Sequence, residues 1–517
     1  MIPETRRGKD LVQNPVLWGD FADPDVIRVG DAYWLITSTF EYSPGMAVLR
    51  SFDLITWEFV THCVADMTAI GPEYASGGTL RDGRGIFAGA IRFHNDLFYV
   101  YFATLDEGIF VTTASDPAGP WGPPTQLWDA MFWDDPCPIW GSDGVAWLIA
   151  SRPGEPADAE WMTYVMPMAA DGLSVDPARL TVLDPTWSSE GNKAYEIDGR
   201  FYVLHNESRS FGNRVAVIMR SDSMLGPWEK RDLIVGSGIE RDREPNQGAL
   251  VDTPDGSWYF VTHHGRMGYA EGRSVSVLPV TWTDGWPVAG VKDGDGVGRM
   301  AWDLSVPIAG GAAVEMQLSD NFVGRIGPQW EWRYEPEVEA WSVLPGGGLR
   351  IESRLLQVPG DPRSARNTLT QRQVGGEGDA QVHFDVGSLL NGDVCGLAHY
   401  GGQYSSIQFE RASNVSYVLI VRQTNDGDVQ TEHRIVVANA TVVSLRTHLD
   451  NRGYVTFGYA LDDQAFTPFG DVYRPGFARY RGNRLALQVF GNGPRTGHAI
   501  VRGFEYLQGT QSSANRA

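Results

Sequence analysis

Asp23, Phe87, Asp135, Glu190 and Gln247 each stand at the start of one recurring phrase in the sequence. Three of the five are carboxylic acids. Carboxyl groups gathered in a partly dry cleft cannot all ionise at their ordinary pKa, because burial and mutual repulsion push at least one upward. At neutral pH this leaves a proton donor beside a base, the pairing that cleavage of a glycosidic bond requires. A lone Asp at a strand start is ordinarily a turn residue bonded to backbone N–H groups, as expected for Asp31, Asp143, Asp198 and Asp255. Three acids in phase with a repeat need another explanation, and the fold must then unite residues 112 and 55 positions apart.

The recurring phrase supplies that fold. Its copies read ADPDVIRVGDAYWLITS, IFAGAIRFHNDLFYVYFA, DDPCPIWGSDGVAWLIAS, SEGNKAYEIDGRFYVLHN and NQGALVDTPDGSWYFVTHH, a polar opening followed by two apolar strands around a turn. Steps between equivalent openings are 64, 48, 55 and 57 residues. Repeats of roughly 40–50 residues built from short strands are blades of a β-propeller, and these are a little longer. Equivalent positions of such a ring face one central cavity. A second shared element, LRSFDLITWEF (49–59), TTASDPAGPWGPP (112–124) and MRSDSMLGPWEKR (219–231), carries Ser, Asp and Trp and reads as a structural anchor.

At 517 residues the chain exceeds what one hydrophobic core usually serves, so two domains are expected. Past IAGGAAVE (308–315) the pattern changes to period-two runs such as LRIESR, DAQVHFDV, SYVLIVRQ and RLALQVFG, separated by NGD, NDGD and GNG turns. Those runs predict antiparallel strands of a β-sandwich. The expected division is a propeller over 1–307, a sandwich over 315–509 and a disordered tail over 510–517. All these elements are β. A net charge of −22 argues against nucleic acid or an anionic membrane as partner, and is neutral towards an uncharged sugar. Cys63, Cys137 and Cys395 show neither a disulfide framework nor zinc-ligand spacing. No stretch resembles a secretory leader or a membrane span, so a cytoplasmic location is expected. An acidic, β-rich surface with sandwich edges is compatible with a homo-oligomer.

A sugar site needs apolar faces and a few polar groups. Phe40 and Tyr42, in TFEYSPG, are candidates for a subsite wall, followed by Phe87, Trp133 and Phe110; propeller core is the competing role for each. Glu207 and Arg209 could edge the pocket, whereas His263-His264 reads as a strand-end pair.

NPVLWGDFADPDVIRVGDAYWLITSTFEYSPGMAVLRSFDLITWE resembles the opening of glycoside hydrolase family 43, in particular its two-domain β-xylosidase/α-L-arabinofuranosidase members. NQGALVDTPDGSWYFV, VLPVTWTDGWPV and ARNTLTQR extend the resemblance over essentially the whole chain. It implies a five-bladed propeller, a concanavalin-like sandwich and hydrolysis with inversion. It further implies that Asp23 is the general base, Asp135 the acid that tunes and orients its neighbour, and Glu190 the general acid. Base and acid would then lie roughly 6.5–9.5 Å apart. Arg273 matches a family position that contacts sugar and carboxylates. Two departures stand out: Phe87-Ala88-Gly89 where many relatives have Trp-Ala-Pro, and Gln247 where some have a His that holds a central water or ion. Gln247 is therefore assigned to the substrate pocket, and no catalytic metal or other cofactor is expected; no motif supports a structural Ca2+. Asp134 competes with Asp135 for register, and the shared Asp-Pro favours Asp135.

The resulting expectation is an exo-acting enzyme that releases xylose or arabinose from hemicellulose-derived oligosaccharides. A retaining fructosidase would place Asn before the first Asp-Pro, where this chain has Ala22. A non-catalytic carbohydrate-binding propeller would have no need of three acids.

Overall fold

The structure, a computed structural model, describes residues 11–508 apart from 154–160, 185–188, 211–212, 237–244, 265–270, 306, 308–310, 402, 463, 477–480, 492 and 494–496. The tail 510–517 and the first part of the expected linker lie outside the described residues. Among the described residues no helix is long and apolar enough to cross a membrane.

Five four-stranded antiparallel sheets follow one another along the chain, each in plain meander order. Their inner strands are Asp25–Val29, Gly89–His94, Asp134–Trp140, Ser189–Ile197 and Gly248–Asp252, which we number as blades I to V. Each blade is covered on both faces by its neighbours, so second strands such as Ala32–Thr37 and Leu97–Thr104 are buried almost throughout. That explains their continuous apolar runs, where a half-exposed strand would alternate. The turns between first and second strands follow local chemistry. Asn95 and Asp96 have φ of 49° and 60°, and Asp198 and Gly199 have 51° and 73°, the left-handed pairs of tight type I′ hairpins.

One inter-blade bond follows another around the inner strands. Asp25 of blade I accepts from the Ile91 N–H at 2.8 Å and from Arg92 Nη1 at 2.7 Å in blade II. Arg92 Nη2 reaches Cys137 Sγ of blade III at 2.9 Å, and the same sulfur accepts from Ala194 N of blade IV at 3.2 Å. Tyr195 Oη accepts from Leu250 N of blade V at 2.8 Å, and Asp252 returns to blade I by pairing with Arg28 at 2.5 Å. Cys137 is thus a buried packing and acceptor group. Outside the blades, Leu11–Gln13 pairs with Asp303–Ser305, joining the two ends of this domain.

The second domain is a sandwich of a nine-stranded and a seven-stranded sheet, antiparallel apart from a short parallel pairing of Arg354–Leu355 with Arg484–Gly491. Gly378–Asp385 alternates buried and half-buried residues, and Val382 and Phe384 meet Leu397, Ile407 and Leu487 in the core between the sheets. Strands of the larger sheet such as Asp393–Tyr400 are buried on both faces, because Val394 packs with Ala365 and Phe490, and Ala398 and Tyr400 with Tyr404 and Leu419, on the side away from the core. At one edge of this sheet Tyr42–Ser43, from the propeller, pairs antiparallel with Trp330–Arg333 as an added strand. Beside it, Glu331 lies 2.5 Å from Arg484, 3.2 Å from Arg372 and 3.1 Å from His62, all buried. Arg372 also donates to Ser38 O at 3.2 Å, back in the propeller.

Candidate active site

Asp23 and Asp135 begin their blades with φ of 55° and 50°, a left-handed conformation that few residues other than glycine adopt. The two positions share a backbone shape as well as a following Pro, which makes Asp135, not Asp134, the structural equivalent of Asp23. In blade IV the corresponding kink falls on Gly191, φ 79°, directly after Glu190. A side chain at Gly191 would run into Asn206 and Gln247, so only glycine fits there.

These kinks turn the acids into the ring mouth. Asp23 is gripped by Arg273, with Nη1 to Oδ1 at 2.7 Å and Nη2 to Oδ2 at 3.2 Å, and accepts from Ser38 Oγ at 2.7 Å. Its own N–H donates to His263 Nδ1 at 2.8 Å. An accepting Nδ1 requires a neutral imidazole, and burial, reinforced by Arg273 and Arg214, holds His263 well below the ordinary histidine pKa. Asp135 accepts from Gly191 N at 2.8 Å and from Gln247 Nε2 at 2.6 Å, which ties blades III, IV and V at one carboxylate. Burial first, then the charge of Glu190, pushes Asp135 up to about 7, against the pull of Lys193 and the Gly191 N–H; Asp23 adds to the push. Asp134, whose carboxylate accepts from the Asp135 N–H at 2.9 Å, is driven up by the same burial and repulsion. Glu190 is paired with Arg214, Nη1 to Oε1 at 2.5 Å. The three in-phase acids thus share one electrostatic neighbourhood.

The other candidates divide. Phe40 and Phe87 meet edge to face with centroids 5.4 Å apart, and Arg273 lies over Phe40 at 5.8 Å. This links the aromatic pair to Asp23, with Phe87 the more open ring. Arg481, from the sandwich, stands over the same Phe40 at 5.8 Å and pairs with the buried Glu41. Gln247 serves Asp135 rather than an open subsite. Tyr42 is not brought to the acids: its ring lies under Arg484 at 3.6 Å, between the domains, because Tyr42–Ser43 is captured by the sandwich sheet. Trp133 is 1% exposed, packed on Trp128 and Tyr164, and offers no open face. Phe110 stacks on Phe102 within blade II.

Glu207 belongs to a buried cluster beside the mouth. Asp184, His205 and Glu207 have metal-ligand spacing, but Lys230 Nζ lies 2.6 Å from both carboxylates and occupies the cationic position. Although burial alone would raise it, Glu207 is held down at about 2 by His205 and Lys230. His263, Ser38, Arg214 and Arg481 were not singled out in the sequence as site residues. The first two sit at or just past strand ends, where phase with the repeat could have flagged them; the last two lie in stretches that match no repeat.

A propeller that turns three carboxylates into its mouth, backed by a β-sandwich, defines a glycoside hydrolase. The model of glycosyl hydrolases family 43 matches residues 12–287, and that of the β-xylosidase C-terminal concanavalin A-like domain matches 319–507. The chain belongs to glycoside hydrolase family 43. It is 28% identical to a β-xylosidase of Formosa agariphila over 99% of this chain and 92% of that one. It is 30% identical to a non-reducing end α-L-arabinofuranosidase of Bacteroides ovatus, over 66% and 64% of the two chains. Among solved structures it superposes with TM-score 0.84 and 27% identity on an engineered GH43 glycoside hydrolase described as both endo-xylanase and exo-arabinofuranosidase, covering 98% and 100%.

Proposed function

We propose that this enzyme is an exo-acting, inverting pentosidase that releases β-D-xylose or α-L-arabinose from the ends of hemicellulose-derived oligosaccharides. In this reading Asp23, oriented by Arg273 and Ser38, takes a proton from water as that water attacks the anomeric carbon. Glu190 gives a proton to the glycosidic oxygen as its bond to that carbon breaks. Asp135 keeps the local charge balanced between them. These two proton transfers complete the hydrolysis, so the reading calls for no metal.

The observation that carries it is the convergence on Asp135: Gly191, next to Glu190, and Gln247 both bond to it, and Glu190 and Asp23 both act on its charge. Exo-action is supported by Arg481, which brings the sandwich against the Phe40 side of the mouth. The Formosa and Bacteroides relatives, named for xylosidase and arabinofuranosidase activities, support the pentose assignment.

The test compares 4-nitrophenyl β-xyloside and α-arabinofuranoside with unactivated xylo- and arabino-oligosaccharides. Asp23→Ala should abolish turnover of all of them, by about 10²–10⁴-fold. Glu190→Ala should spare the nitrophenyl substrates, whose leaving groups need no proton, and stop the oligosaccharides. NMR of the first-formed anomer should show inversion. Full oligosaccharide activity in Glu190→Ala, or mid-chain cleavage as the main product pattern, would overturn the assignment.

A further inference from the structure

Arg214 lies on the third strand of blade IV, opposite Ser208, while Glu190 lies on the first strand, opposite Asn206. Their ion pair, at 2.5 Å, therefore reaches across the second strand at the ring mouth. It stays accessible, with side-chain exposures of 36% for Arg214 and 25% for Glu190. The neighbouring cations are otherwise engaged: Arg273 forks onto Asp23, and Lys193 donates to Asn192 O at 3.1 Å deep in the ring.

The guanidinium covers Oε1 of Glu190 and leaves the other carboxyl oxygen to carry a proton, so the pair fixes the direction in which that proton is presented. This contact uses one N–H of a partly exposed guanidinium that has five donors, so others can serve acceptors at the mouth. A general acid faces the leaving group by definition, so the acceptors within reach of Arg214 are those of the leaving sugar. The planar, forked donors of arginine suit neighbouring hydroxyls on a sugar ring.

Resting on the reading of Glu190 as general acid, we propose that Arg214 is its positioning residue and a recognition group for the leaving sugar. In the free enzyme Arg214 holds the Glu190 carboxyl at the mouth. When an oligosaccharide binds, the guanidinium also donates to hydroxyls of the leaving sugar. Glu190, reprotonated from solvent after each turnover, passes its proton to the glycosidic oxygen as the bond to the anomeric carbon breaks. Asp23 receives the proton of the attacking water, so the charges balance over the cycle. An aryl leaving group without hydroxyls forgoes this contact.

The experiment measures kcat and KM of wild type, Arg214→Met and Arg214→Lys on xylobiose, or on an arabinosyl oligosaccharide if that is preferred, and on the matching nitrophenyl pentoside. The ratio of kcat/KM between oligosaccharide and aryl substrate should fall about tenfold or more in Arg214→Met, the size of one charge-assisted hydrogen bond. Arg214→Lys should recover part of that ratio. Equal losses on both substrates, or an unchanged ratio, would overturn the proposal. Glu190→Ala, run in parallel, separates the two claims. If it lowers the ratio and Arg214→Met does not, only the role of Arg214 fails; if Glu190→Ala leaves the ratio intact, the general-acid reading itself falls.

Discussion

Arg273 holds Asp23 through both arms of its guanidinium, at 2.7 and 3.2 Å, while standing 5.8 Å over the ring of Phe40. One side chain thereby fixes the carboxylate and braces the aromatic wall. Lysine carries the same charge but is a single point with no planar fork. Arg273→Lys should therefore lower kcat/KM about 10–100-fold on aryl and oligosaccharide substrates alike, because a misoriented base hinders every substrate. A Lys variant with wild-type kinetics would show that charge alone suffices at this position.

Asp135 makes pH a probe of the ring. Its pKa in the folded protein, about 7, lies above the unfolded value of 3.8. Between those values the folded state binds the extra proton, so stability falls as pH rises through that window and levels off above it. Asp135→Asn removes this titration. The melting temperature of the variant relative to wild type should accordingly be more favourable at pH 8 than at pH 5, even as activity is lost. A difference that does not change with pH would show that Asp135 is not the group that carries the proton.

Much of this architecture was legible because the propeller repeats. The openings of blades I, III and IV carried Asp23, Asp135 and Glu190 in phase, and the left-handed kinks at 23, 135 and 191 are the physical counterpart of that phase. The aromatic candidates were less legible, since Phe40, Tyr42, Phe87, Trp133 and Phe110 share one chemistry and differ only in what covers them. Tyr42 follows Phe40 by two positions, yet a two-residue strand pairing with the other domain removes it from the Phe40 wall. Arg214 and Arg481 were illegible for a related reason: their partners, Glu190 and Glu41, are 24 and 440 residues away, and no spacing rule spans either distance.

Glu331 is the charge on which the domain interface turns. Arg484 and Arg372 face it at 2.5 and 3.2 Å, and all three side chains are at most 3% exposed. Despite its burial, these arginines and His62 hold the Glu331 carboxyl far below the usual carboxylate range. Its contribution to stability is thus present above the ordinary carboxylate pKa and is lost only in strong acid. Glu331→Gln leaves two buried guanidinium groups uncompensated, at a cost of about 3–5 kcal/mol. Calorimetry should show a lower melting temperature at neutral pH, and a transition that splits if the domains come apart before they unfold. A melting curve identical to wild type would mean that the apolar contacts alone hold the interface.

Arg481 connects the two domains at the site itself, because it joins the buried Glu41 and the Phe40 ring from the sandwich side. Replacing Arg481 alone would strand Glu41 in a dry position, so the informative variant is the double change Glu41→Gln with Arg481→Met. This keeps the volume nearly constant and removes both charges together. If this contact shapes the closed side of the pocket, KM for short oligosaccharides should rise several-fold, roughly 5–20-fold for about 1–2 kcal/mol of lost positioning. The kcat for an aryl pentoside should change little, since neither residue is assigned a proton step. Digests of a xylo-hexamer should then contain di- and trisaccharides at early times, where the proposed exo-action of the wild type predicts single pentoses. Unchanged KM and an unchanged early product pattern in the folded double variant would assign end-selectivity to the propeller loops alone.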